Sequence, residues 1–440
     1  MEQLISYKQI GKLAFPIIVA QSAVIINGMT DLAFIAPYGT EAIAAVSVAN
    51  ALCATLFNFL EGFRIGTTVL VAKATAADDA AKASAVLNSG LFLVALVGVV
   101  ALAFAPYVGS IVYDIAGDGQ MKHHGADYLT VWLWAVPLIL ASYVLAGLFR
   151  GLQDTKTPLY STFTVCLLNI FFDYLFVRGG FGFPVLGVKG AAWGTLLANL
   201  AGLLILACLA AKKPLTSKHI NIRQPFLGHI RQYAALAADI GLNTGFTLLV
   251  LLIFVWVIKP LGATALAVHH ITLQVFNLAY LPAVGFLITA TIVVPRLAGP
   301  DRQHLLRPTA GRICAMSLGA ILAISSLLFI FSAAVGSFFS PADSLVAKQA
   351  SATIQIVCLS QLFSSVYMVM RGVLTGCGDT RFLVYEGWIS GYLVFLPLAY
   401  LLAVKAGYGI YGGYTAFLLW CATDCAALVC RFFLRKAPAV

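Results

Sequence analysis

The chain has 440 residues, 61% of them hydrophobic and 10% charged, with a formal net charge of +10 and a mean hydropathy of +0.94. Soluble domains carry about a quarter charged residues, so a soluble enzyme is excluded, and basic residues scattered between apolar runs rather than gathered on one face exclude a nucleic-acid partner. Neither low-complexity tracts nor a heptad seam is visible, which leaves an all-α polytopic membrane protein.

Lys8 and Lys12 precede the first apolar run, and no small-residue cleavage site follows, so this run reads as a retained first span rather than a signal peptide. A helix crosses the hydrocarbon core in roughly 20 residues. Apolar runs of that length predict twelve spans: 10–35, 42–71, 87–113, 128–149, 159–178, 188–210, 233–257, 264–294, 313–338, 351–373, 386–404 and 409–430. Strands of a membrane barrel are about half as long and alternate polar with apolar, so a barrel is excluded. With both termini cytoplasmic, the inside gaps hold 20 of the 27 Lys and Arg, Arg150 and Arg371 among them, and the outside gaps hold six. The excess of cationic residues on cytoplasmic loops selects that orientation and a multi-pass inner-membrane location. The nine cysteines lie mostly inside apolar runs without metal-ligand spacing, so no disulfide, metal site or cofactor is expected.

A basic segment at 212–232 separates six spans from six, which predicts an amino-terminal lobe over 1–211, a cytoplasmic linker over 212–232 and a carboxy-terminal lobe over 233–440. The halves repeat. Pro37–Gly39 (PYG) recurs as Pro260–Gly262 (PLG) at an offset of 223, which also pairs Gly62 with Gly285. Arg150–Lys156 (RGLQDTK) recurs as Thr375–Arg381 (TGCGDTR) at 225, and GVKGAA from Gly187 recurs as GIYGGY from Gly409 at 222. Two six-helix halves entering the membrane in the same sense predict parallel pseudo-repeat lobes around a central cavity, the architecture of an alternating-access carrier.

A duplicated scaffold makes the differences between halves informative. Asp31 lies deep in the first span and Asp173 in the fifth, whereas their repeat partners are Phe254 and Leu398. Asn27 and Asn169 each precede an acid by four residues, which places each amide on its acid's helix face. A carboxyl group in hydrocarbon is costly when ionised, so these four residues are the predicted site of proton or cation coupling, and buried acids that exchange a cation are expected in the first half alone. Pro16 and Gly28 offer soft points through which the first helix can bend. Glu61 and Arg64, three apart, can pair on one face and offer cavity-lining charge. Asp239 and Asp424 read as packing residues, and His269 and His270 as hydrogen-bonded or titrating. Asp154 and Asp379 read as caps of the following helices.

With RGLQDTKTP, its echo TGCGDTRF and ALAVHHI in hand, the chain resembles the multidrug and toxic compound extrusion (MATE) family over nearly its whole length. LEGFRIGTTVLVAKA, and LLNIFFDYLFV followed by GVKGAAWGT, resemble its DinF-like branch. The resemblance implies two six-helix lobes and export of amphipathic, often cationic, compounds driven by inward proton or sodium flow. It assigns coupling to acids matching Asp31 and Asp173, with Asn169 nearby and Pro16 as the first-helix proline. The expected partners are small amphipathic molecules and the lipid bilayer, and the expected state is a monomer. The alternative is a lipid-linked oligosaccharide flippase, whose phosphates call for several arginines in the cavity; among candidates only Arg64 is read as buried. An enzyme is not expected, because neither HExxH nor GxSxG occurs inside a span.

Overall fold

A computed structural model describes residues 4–116, 119–221, 223–297, 299–341 and 343–434. Arg435 and Lys436 of the charge count fall outside them, as does the Lys122 side chain. Among the described residues, twelve helices are long and apolar enough to cross a membrane. They are α1 (Tyr7–Tyr38), α2 (Thr40–Ala76), α3 (Ala80–Val108), α4 (Gly125–Gly151), α5 (Lys156–Phe176) and α6 (Gly187–Lys212), then α7 (Leu227–Leu261), α8 (Ala263–Leu297), α9 (Arg302–Ile330), α10 (Ser344–Cys377), α11 (Thr380–Lys405) and α12 (Gly409–Leu434). No strand occurs among the described residues. Helices are the expected solution, because hydrocarbon offers no partner to an unpaired N–H or C=O.

The repeat anchors are turns. Gly39 and Gly262 take φ of 93° and 91° between α1 and α2 and between α7 and α8, a conformation that only glycine adopts readily. One span differs from expectation. The ninth was predicted at 313–338, but α9 ends at Ile330 and Ser332–Phe339 forms a separate short helix. The break at Phe331 lies in uniformly apolar sequence, so hydropathy carries no sign of it. In α11 the backbone widens into π-type turns at Ile389–Phe395 and Leu401–Lys405, on either side of Pro397. Proline has no N–H to continue the regular ladder, and such turns absorb the mismatch.

The chain forms two compact units, Val19–Gly241 and Met1–Ile18 with Leu242–Val440, called here the first and second unit. The divisions fall inside α1 and α7, so the opening part of each of these helices belongs to the other half's unit. Close approaches explain this. A Cβ built on Gly62 of α2 would lie 1.9 Å from the carbonyl oxygen of Ala237 in α7, and one on Gly285 of α8 would lie 2.3 Å from Cγ1 of Ile18 in α1. The repeat-related glycines thus each seat the start of the exchanged helix. The core of the first unit gathers Tyr128, Leu140, Phe149 and Tyr233. In the second unit, one cluster centres on Phe254, Phe395 and Tyr414 and another on Ile10, Phe286 and Leu428.

The segment between α6 and α7 is fastened to α3. Ser84 Oγ donates to the carbonyl of His219 at 2.7 Å, Asn88 Nδ2 to those of Asn221 and Gln224 at 2.9 and 3.1 Å, and Ser89 Oγ to that of Phe226 at 3.2 Å. The polar face at the start of α3 therefore supplies the donors that an irregular backbone needs.

Candidate functional site

Helical periodicity puts Asn27 and Asp31 one turn apart on α1, and Asn169 and Asp173 one turn apart on α5. The first unit brings all four together. Asn27 Nδ2 donates to Asn169 Oδ1 at 2.6 Å and lies 3.5 Å from Asp31 Oδ1, while Asn169 Nδ2 donates to Asp173 Oδ1 at 3.3 Å. The Asp31 and Asp173 side chains lie within hydrogen-bonding reach of each other. Asp173 is fully buried and its Oδ2 has no donor, whereas Asp31 is partly exposed. Ionised carboxylates only accept hydrogen bonds, so this contact calls for a proton or a cation between the two groups. Helix α6 closes over the site at Gly194, where an added Cβ would come 2.8 Å from Asp173 Oδ1.

Pro16 is buried in α1 two residues before the division between units, and the helix runs through it as far as Ile35. Gly28 is exposed, and a Cβ there would meet nothing within 4 Å. Packing therefore does not demand a glycine at that position.

Glu61 and Arg64 have partners of their own. Arg64 Nε donates to Glu61 Oε1 at 2.9 Å, and its guanidinium stands 4.9 Å from the ring centre of Tyr143. Arg150, expected in a cytoplasmic gap, is instead buried in the last turn of α4, in electrostatic contact with Arg64, Glu61 and Tyr143. Arg371 departs from expectation likewise: it is buried in α10, donates through Nη2 to Thr244 Oγ1 at 2.7 Å and faces Glu386.

Glu386 is a buried acid of the second half that the sequence reading did not single out. It is 8% exposed on α11, and Asp424, read from sequence as a packing residue, is 4% exposed on α12, within hydrogen-bonding reach of it. Both are peculiar to the second half, since the repeat offsets of 225 and 222 match them to Ser161 and Gly202. That comparison is the signal that could have found them.

Of the two predicted caps, Asp154 accepts from the backbone N–H and hydroxyl of Thr157 at 3.0 and 2.6 Å and from Lys213 Nζ at 2.8 Å. Burial pushes its carboxyl up, but these bonds outweigh burial and hold it below the usual carboxylate range. Asp379 caps nothing and is instead paired with Arg431 Nε at 2.9 Å. His269 Nδ1 lies 3.0 Å from the Tyr414 hydroxyl, a packing contact in the core, and His270 is exposed.

The family model MatE matches residues 16–175 and again residues 240–401. The chain belongs to the MatE family. The two matches begin 224 residues apart and end 226 apart, in step with the internal offsets. Among curated relatives, a probable multidrug resistance protein NorM of Photorhabdus laumondii is 29% identical over 90% of this chain and 88% of its own length. The protein of the same name in Thermotoga maritima is 25% identical over 92% and 88%. A solved structure described as the outward-facing conformation of a multidrug resistance MATE family transporter of the MOP superfamily superposes with a TM-score of 0.86, at 20% identity, over 96% of this chain and 94% of that one. At that identity the likeness speaks for the fold: twelve membrane-spanning helices in two repeat-related units.

Proposed function

We propose that this MatE protein is a secondary antiporter of the inner membrane that exports amphipathic, often cationic, organic compounds by alternating access, coupled to inward flow of protons or sodium. The names of its relatives support the substrate class. The observation that carries the coupling assignment is the Asn27–Asn169 hydrogen bond, which joins two intramembrane acids on different helices into one network. Ionisable groups at that depth are costly and are kept where they move ions.

In this reading Asp31 and Asp173 take up a proton, or bind sodium, from outside; α1 shifts as the contact between α1 and α5 changes; and bound substrate leaves outward. Reorientation then releases the ion inside. The partly exposed Asp31 is the entry group and the fully buried Asp173 holds the ion, with Asn169 oriented to hydrogen-bond its carboxyl in either protonation state. One charge crossing about 100 mV yields roughly 2.3 kcal/mol. At about 1.4 kcal/mol per decade, this sustains something like a fifty-fold gradient, ample for efflux.

The flippase reading gains little from the additional buried arginines. Arg64 is bonded to Glu61 and Arg371 faces Glu386, while Arg150 shares Glu61 with Arg64 and keeps Nε and Nη1 without partners, so a single net positive charge remains where a phosphate calls for several. The deciding experiment is transport of a fluorescent cationic dye in proteoliposomes under pH and sodium gradients imposed separately. Asp31→Asn should fold and bind dye but lose gradient-driven movement; undiminished transport by that variant would refute the assignment.

A further inference from the structure

The second unit holds a polar centre that the coupling site leaves unused. Glu386 and Asp424 meet between α11 and α12, and neither oxygen of Glu386 has a hydrogen-bond donor although the side chain is more than nine-tenths buried. Trp420 Nε1 donates to Ser390 Oγ at 3.1 Å, which leaves the serine's own proton for Asp424, within its reach. Ser390 lies in the first π-type turn of α11, and such turns occur often at functional positions. The same two scaffold positions also touch in the first unit, where Ser161 Oγ donates to the carbonyl of Gly202 at 3.1 Å. The duplicated fold builds this contact in both halves, and only the second half fills it with acids.

We propose that Glu386 and Asp424 form a second proton-binding site, in which the two carboxyl groups share one proton beside the Arg371 guanidinium. Both acids ionised beside one arginine would leave a net negative charge in hydrocarbon; one shared proton makes the cluster neutral and supplies the donor that Glu386 lacks. The groups facing the pair are Arg371 and Tyr367 of α10, Tyr280 of α8, and Cys421 and Cys425 of α12. Apart from the acids, this is a cation and a set of neutral donors. A metal ion would find few acceptor oxygens here and a guanidinium repelling it, whereas a proton needs only the two carboxyls.

The inference does not rest on the coupling assignment, and its test separates the two. The protein is purified with Asp31→Asn and Asp173→Asn together, so that the first unit's pair is silent. Infrared difference spectra are then recorded between acidic and alkaline buffer, with and without sodium. The expected result is a protonated-carboxyl stretching band that disappears on alkalinisation, is unmoved by sodium, and is lost when Glu386→Gln or Asp424→Asn is added. Persistence of the band in both variants, or its removal by sodium at constant pH, overturns the proposal. Thermal melting checks the fold of each variant, and should Glu386→Gln fail to fold, Asp424→Asn decides alone. Transport by Asp31→Asn addresses the other reading and has no bearing on this band.

Discussion

Gly194 sets how much room the Asp173 carboxyl has. A methyl group there would stand 2.8 Å from Oδ1, so the carboxyl must turn away from Asn169 or α6 must retreat. Overpacking of this kind costs about 1–3 kcal/mol. Gly190→Ala is a matched control, because its Cβ would press 2.7 Å from the Phe176 carbonyl and not on the acid. Gly194→Ala should move the pH profile of dye transport, while Gly190→Ala lowers thermal stability and leaves the profile in place; identical profiles for both would remove Gly194 from the coupling network. At this scale Asp31 and Asp173 were legible because an acid stands out in an apolar run and the amide four residues earlier falls on the same face. Glu386 was not, because it sits at the margin of its hydropathy window and its partner lies 38 residues on. The same comparison of halves, read in the opposite direction, marks it against Ser161.

The segment joining α6 to α7 reads in sequence as a polar loop, yet α3 holds four of its carbonyls. The sequence hides this because the donors, Ser84, Asn88 and Ser89, are more than 130 residues away from their acceptors. His219 is buried within the segment and its ring nitrogens have no hydrogen-bond partner. Burial, and then the neighbouring Lys218, push the imidazole below its ordinary value of 6.5, with Asp78 opposing. A base whose folded value is depressed contributes fully above the unfolded value, and that contribution falls away as pH drops below it. The backbone amides of 216–221, corrected for intrinsic rate, should therefore exchange faster as pH falls from about 7.5 to 5.5. His219→Gln should flatten that dependence, and an unchanged slope in the variant would locate the sensitivity elsewhere.

At the scale of the molecule, the duplication fixes orientation as one question for both units. Six spans per half return the chain to its starting side, so the loops after α2, α4, α8 and α10 share a side with the linker, and the loops after α5 and α11 face the other. Burial of Arg150 and Arg371 lowers the inside count from 20 to 18, still three times the six expected outside. The bias is strong because positive charge is retained on the cytoplasmic face during insertion. Two positions read it directly: Asp78, exposed after α2, and Phe181, 81% exposed after α5. In a background with the nine native cysteines replaced, Phe181→Cys should react with an impermeant maleimide applied to intact cells, and Asp78→Cys only after lysis. The reverse pattern would invert the molecule. Asp31, five residues before the turn at Ala36–Tyr38, and Asp173, three residues before the end of its helix at Phe176, would then both lie toward the cytoplasm, away from the side on which inward-flowing protons enter.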